Sequence, residues 1–223
     1  MAIRGLVFDV DGLIFDTERV WQRAFVDANA RFSTEFDETM RVTWMGRKDS
    51  EIRDELNRNF PELDSEGYRA HMCSFVNNCL NSGDFSVKTG FENIVAYARE
   101  KGLKLGIATG NELSVVKMLF EKSGLDLDNF VVTCSCEVDK GKPDPAVYLL
   151  SAQKLGLSPE EIVVLEDAPS GIVSASKAGC KPIMVVDLAE PTEELQKICL
   201  AVCYDLNEAC SVLEKIFAGE GNA

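Results

Sequence analysis

Residues 8–18 read Phe8-Asp9-Val10-Asp11-Gly12-Leu13-Ile14-Phe15-Asp16-Thr17-Glu18, and they follow an apolar run that begins at Ile3. This run predicts a buried β-strand that ends near Phe8. If the chain stays extended beyond it, the carboxylates of Asp9 and Asp11 point the same way, because side chains alternate with period two along a strand. Two like charges so close repel each other unless a cation or a proton lies between them. Gly12 then permits a sharp turn of the backbone.

Two carboxylates beside a hard cation suit phosphoryl transfer. One carboxylate can attack phosphorus, and the other can handle the proton of the leaving oxygen. An Asp-x-Asp sequence also occurs as a simple acidic turn after a strand, so this stretch by itself leaves both interpretations open.

Length and charge narrow the class of protein. The chain has 223 residues, which predicts one domain plus an insertion, and a formal net charge of -14. The negative charge argues against nucleic acid or an anionic membrane as a partner. No apolar run approaches the ~20 residues that a membrane span needs. We expect no signal peptide, because Asp9 and Asp11 interrupt the apolar start of the chain.

The cysteine pattern indicates no zinc site. The eight cysteines form no Cys-x-x-Cys pair, and His71 is the only histidine. We therefore predict reduced thiols in a cytoplasmic protein.

The rest of the sequence predicts an α/β protein interrupted by a helical insert. Helical periodicity runs from Thr17 to about Arg31, and the chain then stays helical in character until an α/β pattern resumes near Gly90. Alternating strands and helices predict a parallel sheet covered on both faces, with ligands at the carboxyl ends of the strands. The predicted strands are 104–108, 130–133, 162–165, 182–186 and 200–204, and helix starts are predicted at Asp144-Pro145 and at Ser158-Pro159-Glu160-Glu161.

Polar residues follow three of these strands. Thr109, with Gly110 and Asn111, stands where a hydroxyl and the N–H groups of a coming helix form an anion site, although a simple helix cap explains them too. Lys142 lies in a rigid loop, Gly141-Lys142-Pro143-Asp144-Pro145, and the alternative for it is an ordinary surface lysine.

Glu166 and Asp167 directly follow the predicted apolar strand at 162–165. Acidic residues at the carboxyl end of a parallel strand fit a magnesium site, because magnesium takes oxygen ligands. The alternative, a helix cap, explains Asp167 but not Glu166.

The sequence resembles the haloacid dehalogenase superfamily, and more narrowly the phosphatases and mutases similar to beta-phosphoglucomutase. Asp9-Val10-Asp11-Gly12 followed by Asp16-Thr17-Glu18 is similar to its first motif, and the three later segments match its second to fourth motifs in order. The resemblance implies a Rossmann-like core over residues 1–15 and 88–223. It also implies a helical cap domain over residues 16–87 that closes over the site.

The resemblance further implies roles for the motif residues. Asp9 is the nucleophile, Asp11 the acid and base, and Thr109 and Lys142 hold the phosphate with help from Gly110 and Asn111. Mg²⁺ is held by Asp9, the backbone carbonyl of Asp11 and Asp167, and Glu166 supports it, directly or through water. The charge of Lys142 is expected to lower the pKa of Asp9 and keep it ionised.

The cap supplies one further candidate. Met45-Gly46-Arg47-Lys48-Asp49 resembles a loop that reaches the substrate, and Arg47 is the candidate for binding a second anionic group of the substrate. A solvated surface arginine is the alternative.

The predicted function is magnesium-dependent hydrolysis of a small phosphate monoester, a sugar or polyol phosphate, through an aspartyl phosphate, by a monomer. The alternative is a sugar phosphomutase, but the resembled mutases carry a histidine in the first cap helix where this chain has Trp21. A phosphate-binding regulator without turnover is a third interpretation. At Val87-Lys88-Thr89-Gly90 the chain also departs from the Pro-Gly that is usual at the return to the core, which affects a hinge more than the chemistry.

Overall fold

The computed structural model describes residues 2–44 and 49–219. The chain divides into two compact units, one formed by Met1–Asp16 with Ser86–Ala223 and the other by Thr17–Phe85. None of the helices in the described ranges has both the length and the apolar character that crossing a membrane requires.

The first unit is built on a six-stranded parallel sheet in the order β3-β2-β1-β4-β5-β6. This confirms the predicted α/β fold class, and every strand lies within two residues of its predicted ends. Since the strand order runs outward in both directions from β1, a crevice opens at its carboxyl end, where α/β proteins bind ligands. The strands are β1 (Gly5–Phe8), β2 (Lys104–Thr109), β3 (Phe130–Cys134), β4 (Ile162–Glu166), β5 (Lys181–Val185) and β6 (Ala201–Cys203).

Ten helices accompany the sheet, four in the second unit and six in the first. In chain order they are α1 (Thr17–Phe32), α2 (Glu38–Val42), α3 (Asp49–Asn59), α4 (Ser65–Ser82), α5 (Phe91–Glu100), α6 (Leu113–Ser123), α7 (Ala146–Leu155), α8 (Pro169–Ala178), α9 (Glu193–Ile198) and α10 (Leu206–Phe217), counted over the described ranges.

Helices cover both faces of the sheet because β1 is apolar on both sides. Val7 packs into a cluster with Val147 of α7 and Ala175 of α8. Its neighbour Phe8 points the other way, and its ring lies 5.5 Å from that of Phe91 at the start of α5. All four residues of β1 are buried, as expected for the central strand of a covered parallel sheet.

The described part of the second unit consists of helices and the loops that join them. The guanidinium of Arg69 lies 5.5 Å from the ring centre of Trp21 and 5.6 Å from that of Trp44. Nε of Arg69 also donates to Asp49 Oδ1 at 2.8 Å. Since Trp44 and Arg69 are both buried, this stack forms part of the unit's core.

One predicted helix is wrong. Ser158-Pro159-Glu160-Glu161 forms the expected capping box, in which the N–H of Ser158 donates to Glu161 Oε2 at 2.9 Å. It opens only a short 3₁₀ turn, Pro159–Glu161. The β-branched, apolar run from Ile162 follows at once and enters the sheet, so the sheet overrides the local helix signal. At Asp144-Pro145 the helix does form, beginning at Ala146.

Candidate active site

Residues that follow four neighbouring strands meet at the carboxyl edge of the sheet. Asp9 follows β1, Thr109 ends β2, Lys142 lies in the loop beyond β3, and Glu166 ends β4 with Asp167 next to it. The N–H of Asp9 donates to the carbonyl of Leu165 at 3.0 Å, which continues the pairing of β1 with β4 beyond the strand. Parallel strands therefore bring together residues that lie far apart in the sequence.

Lys142 is the centre of this group. Its Nζ donates to Asp9 Oδ1 at 2.5 Å, to Glu166 Oε1 at 2.5 Å and to the carbonyl of Ala108 at 3.0 Å. The lysine side chain is 14% exposed, that of Asp9 12% and that of Glu166 1%. One largely buried ammonium thus holds two carboxylates side by side.

Glu166 is held on both of its oxygens. Oε1 also accepts from the hydroxyl of Tyr148 at 2.6 Å, and Oε2 accepts from the N–H of Ala168 at 3.3 Å. A Cβ placed on Gly171 of α8 would lie 1.8 Å from Oε1, so the helix can pass the carboxylate only where it has no side chain.

Tyr148 was not among the site residues predicted from the sequence. It stands in the first turn of α7, in an otherwise apolar run, and a buried tyrosine hydroxyl needs a hydrogen-bond partner. That signal was available in the sequence, although it does not identify Glu166 as the partner.

Asn111 joins the strand-end group through Asp11. Its Nδ2 donates to Asp11 Oδ2 at 2.6 Å, and its N–H donates to Thr109 Oγ1 at 3.1 Å. The carbonyl of Gly110, between them, accepts from the hydroxyl of Ser135 at 2.8 Å. The loop after β2 is therefore tied both to Asp11 and to the turn after β3.

The electrostatics of Asp9 differ from the sequence-based expectation. Burial raises its pKa from 3.8 to about 7; Lys142 opposes this, while Glu166 and Asp11 add to it. As predicted, the charge of Lys142 lowers the pKa of Asp9, but desolvation of the carboxylate outweighs the ammonium, so the pKa is raised overall instead of staying low enough to keep Asp9 fully ionised. Burial also opposes the charge on Lys142, but Asp9 and Glu166 outweigh it and raise its pKa above the usual value.

The carboxylates fit a divalent metal. Asp9, Glu166 and Asp167 are buried, and each offers an oxygen atom such that the three lie within 4.8 Å of one another. A hard cation with oxygen ligands is the group that this donor set suits. Gly12 has φ +74°, and a Cβ there would lie 2.2 Å from Asp167 Oδ2, so the backbone passes directly against this carboxylate. Asp11 was predicted to contribute its backbone carbonyl, and that stays a prediction.

A second ion pair borders the site. Lys88 Nζ donates to Asp187 Oδ1 at 2.7 Å, and the side chain of Asp187 is 2% exposed. Asp187 Oδ2 would lie 3.4 Å from a Cβ on Gly12. Sequence reasoning missed this aspartate, although it follows β5 much as Asp9 follows β1 and Asp167 follows β4.

The predicted substrate residue Arg47 lies outside the described residues. Of the other sequence-predicted residues, the carboxylates, Lys142, Thr109 and Asn111 are brought together as described, and Gly110 lies in the loop that carries Asn111.

Comparison with known proteins decides the family. Residues 6–185 match the haloacid dehalogenase-like hydrolases. The chain belongs to this family. The match confirms the resemblance that the four motifs predicted, and it spans both sides of the helical insert.

Several relatives of this haloacid dehalogenase-like hydrolase are phosphatases. Hexitol phosphatase A of Escherichia coli (strain K12) is 27% identical over 221 residues, which cover 91% of this chain and 91% of that protein. (DL)-glycerol-3-phosphatase 2 of Arabidopsis thaliana is 29% identical over 195 residues, which cover 83% and 80%. These relatives, with the family, confirm the prediction of a phosphatase.

A solved structure shows the same fold. CbbY from Rhodobacter sphaeroides in complex with phosphate matches with a TM-score of 0.73 and 24% identity, covering 92% of this chain and 96% of that chain. At this identity the likeness concerns the fold alone.

Proposed function

We propose that the chain is a magnesium-dependent phosphatase that hydrolyses a small phosphate monoester, a sugar or polyol phosphate, through an aspartyl phosphate on Asp9. The observation that carries the proposal is the Asp9 carboxylate, held 2.5 Å from Lys142 and grouped with Glu166 and Asp167 at the strand ends. The phosphatases among the relatives act on hexitol and glycerol phosphates by their names, which supports this substrate class.

The first half of the reaction is attack by Asp9. A carboxylate oxygen of Asp9 forms a bond to phosphorus, the bond from phosphorus to the ester oxygen breaks, and Asp11 gives a proton to the leaving alcohol. Asn111, 2.6 Å from Asp11 Oδ2, fixes the orientation of this acid. Thr109 and Lys142 hold the phosphoryl oxygens, and Gly110 and Asn111 line the same loop.

The second half is hydrolysis of the aspartyl phosphate. Asp11, now ionised, takes a proton from water, the water oxygen attacks phosphorus, and Asp9 leaves as a carboxylate while inorganic phosphate is released. Such catalysis consists mainly of positioning and charge stabilisation.

Asp9, Glu166 and Asp167, with the backbone carbonyl of Asp11, are the residues that would hold magnesium. When bound, magnesium supplies positive charge to the phosphoryl oxygens and to the carboxylates. That charge would favour the ionised form of Asp9, because burial, together with Glu166 and Asp11, raises its pKa to about 7 in spite of Lys142.

We propose the helical insert, residues 16–87, as a cap domain and residues 1–15 and 88–223 as the core. A compact helical unit at Thr17–Phe85 supports this. Arg47 is proposed to bind a second anionic group of the substrate.

Trp21 supports hydrolysis over mutase activity, because its indole cannot exchange a proton at neutral pH as a histidine does. A cytoplasmic monomer remains our prediction.

The test is phosphate release from a panel of hexitol, glycerol, sugar and hydroxy-acid phosphates, with magnesium or with a chelator. We expect magnesium-dependent release from at least one polyol or sugar phosphate. Isomerisation of a hexose 1-phosphate in the presence of a bisphosphate primer, without phosphate release, would favour the mutase. Ligand binding without turnover would favour the regulator.

A further inference from the structure

Tyr148 contacts two groups of the site but has no part in the mechanism above. It is 1% exposed, its hydroxyl lies 2.6 Å from Glu166 Oε1, and its ring centre lies 5.1 Å from Lys142 Nζ. Lys142 is the group proposed to hold a phosphoryl oxygen. Anything that fixes the position of Lys142 therefore bears on the chemical step.

The ring and the hydroxyl act on Lys142 from two directions. The ring offers its face to the ammonium, which is attracted to the negative charge of the π-system. The hydroxyl shares Glu166 Oε1 with the ammonium, so that this oxygen is fixed by two donors at 2.6 and 2.5 Å. A lysine on a four-carbon stem would otherwise have many rotamers available.

The three acceptors of Lys142, in Asp9, Ala108 and Glu166, lie at the carboxyl ends of β1, β2 and β4, whereas Tyr148 is carried by α7. The helix is itself anchored on the sheet, because Val147 and Ala152 pack in one cluster with Val7. The helix thus brings an aromatic face and a hydroxyl to a cation whose three hydrogen-bond acceptors lie at the strand ends of the sheet.

We propose that Tyr148 is a positioning residue for Lys142, and that it fixes the ammonium where the transferred phosphoryl group is held. The inference rests on the proposed function. Because phosphoryl transfer depends on positioned charge, the loss of this support lowers kcat and leaves substrate binding nearly unchanged. A tyrosine that only filled the core would be replaceable by phenylalanine without any effect on kcat.

The test compares Tyr148→Phe with the wild type, using p-nitrophenyl phosphate and the best substrate of the panel. The variant keeps the ring and loses one hydrogen bond to a charged group. We expect kcat to fall about fivefold, while KM stays within about twofold. The inhibition constant of orthovanadate, which adopts the five-coordinate geometry of in-line transfer, should rise by the same factor as kcat/KM falls.

Tyr97→Phe is the matched control, because it makes the same chemical change in α5, where the ring packs against Phe217. It should leave kcat, KM and vanadate inhibition at the wild-type values. The melting temperature of each variant is measured first, and all rates are taken well below it.

A double-mutant cycle separates positioning of Lys142 from a general loosening of the core. On the Lys142→Met background, Tyr148→Phe should change the residual rate by less than about 1.5-fold, because the group that it positions is gone. An equal fivefold loss on both backgrounds would overturn the proposal. So would an unchanged kcat, or a change in KM alone, in Tyr148→Phe.

The failure of this inference is distinguishable from failure of the proposed function. If the wild type releases no phosphate from any substrate, the proposed function fails. If the wild type is active and Tyr148→Phe equals it in kcat and in vanadate inhibition, only the role of Tyr148 fails.

Discussion

Asn111 Nδ2 donates to Asp11 Oδ2 at 2.6 Å, across 100 residues of sequence. The sequence suggested that Asn111 binds the substrate, but its side chain amide is directed at the proposed acid and base. The loop after β2 therefore orients the group that we propose as the proton donor to the leaving alcohol. This contact gives Asn111 a role that depends on the leaving group.

Asn111→Ala should reduce kcat for a glycerol or hexitol phosphate by about tenfold, because a misoriented Asp11 delivers the proton poorly. With p-nitrophenyl phosphate the loss should stay below about twofold, since nitrophenolate leaves without a proton. The measurement is kcat for both substrates. Asn93→Ala, which breaks an exposed amide pair with Asn207, is the control. Equal losses on both substrates would argue that Asn111 contacts the phosphate instead.

Gly171→Ala should destabilise the fold and weaken magnesium binding. Its Cβ would lie 1.8 Å from Glu166 Oε1, and the carboxylate cannot step aside without leaving Lys142 and Tyr148. We expect the free energy of unfolding to fall by about 1–3 kcal/mol in urea titrations. The magnesium dissociation constant, from titration calorimetry, should rise.

Gly141→Ala is the matched control for this substitution. A Cβ at Gly141 meets no atom within 4 Å, so the same chemical change should cost no stability. If Gly171→Ala kept the wild-type stability and magnesium affinity, the close approach of α8 to Glu166 would be refuted.

Lys88→Met should also destabilise the first unit. The side chain of Asp187 is 2% exposed and that of Lys88 20%, so the variant removes the ammonium from a buried carboxylate. We expect a loss of about 1–3 kcal/mol in the free energy of unfolding. Lys88→Arg should recover part of it. Lys101→Met, which breaks an exposed pair with Glu100, should change stability by less than about 1 kcal/mol. If Lys88→Met and Lys101→Met lowered the free energy of unfolding by the same amount, the buried ion pair of Lys88 with Asp187 would not have the stabilising role described here.

The pH dependence of stability should report on Asp9. Its pKa is raised from 3.8 to about 7 in the metal-free fold, so the folded chain binds this proton more tightly than the unfolded chain. The stabilisation of the fold by the proton on Asp9 is complete below pH 3.8 and is lost as the pH rises through about 7. We expect the stability of the wild type relative to Asp9→Asn to fall by up to about 1.4 kcal/mol per pH unit in that window.

Urea titrations with a chelator at several pH values measure this difference, with Asp139→Asn as a surface control. Magnesium competes with the proton, so it should raise the melting temperature more at about pH 8 than at about pH 6. A difference between wild type and Asp9→Asn that did not change with pH would show that Asp9 is not desolvated as described.

The sheet could be predicted because its strands are short apolar runs, and several of them are followed by polar residues that are candidates for the site. Parallel strands place their carboxyl ends at one edge, so Asp9, Lys142 and Asp167 could be grouped before any distance was known. The helix predicted at Ser158 does not form, because long-range packing outweighs the local sequence signal there. Its capping box is real, but the apolar run at Ile162 is drawn into the sheet by long-range packing that the local sequence does not show.

Contacts between side chains on different elements could not be predicted. Tyr148 lies 18 residues from Glu166, and Lys88 lies 99 residues from Asp187. Nothing local marks either pair. The lowering effect of Lys142 on the pKa of Asp9 was predicted correctly, but the sequence does not show the depth of burial, which has the larger effect and raises this pKa overall.

The central claim is that Asp9 is the nucleophile of a phosphatase. The most direct measurement is phosphate release by the wild type, Asp9→Asn and Asp139→Asn, in parallel, with magnesium and the best substrate of the panel. We predict release by the wild type and by Asp139→Asn, and a loss of at least about a thousandfold in Asp9→Asn, with all three proteins folded. Turnover of Asp9→Asn at the wild-type rate would contradict the account.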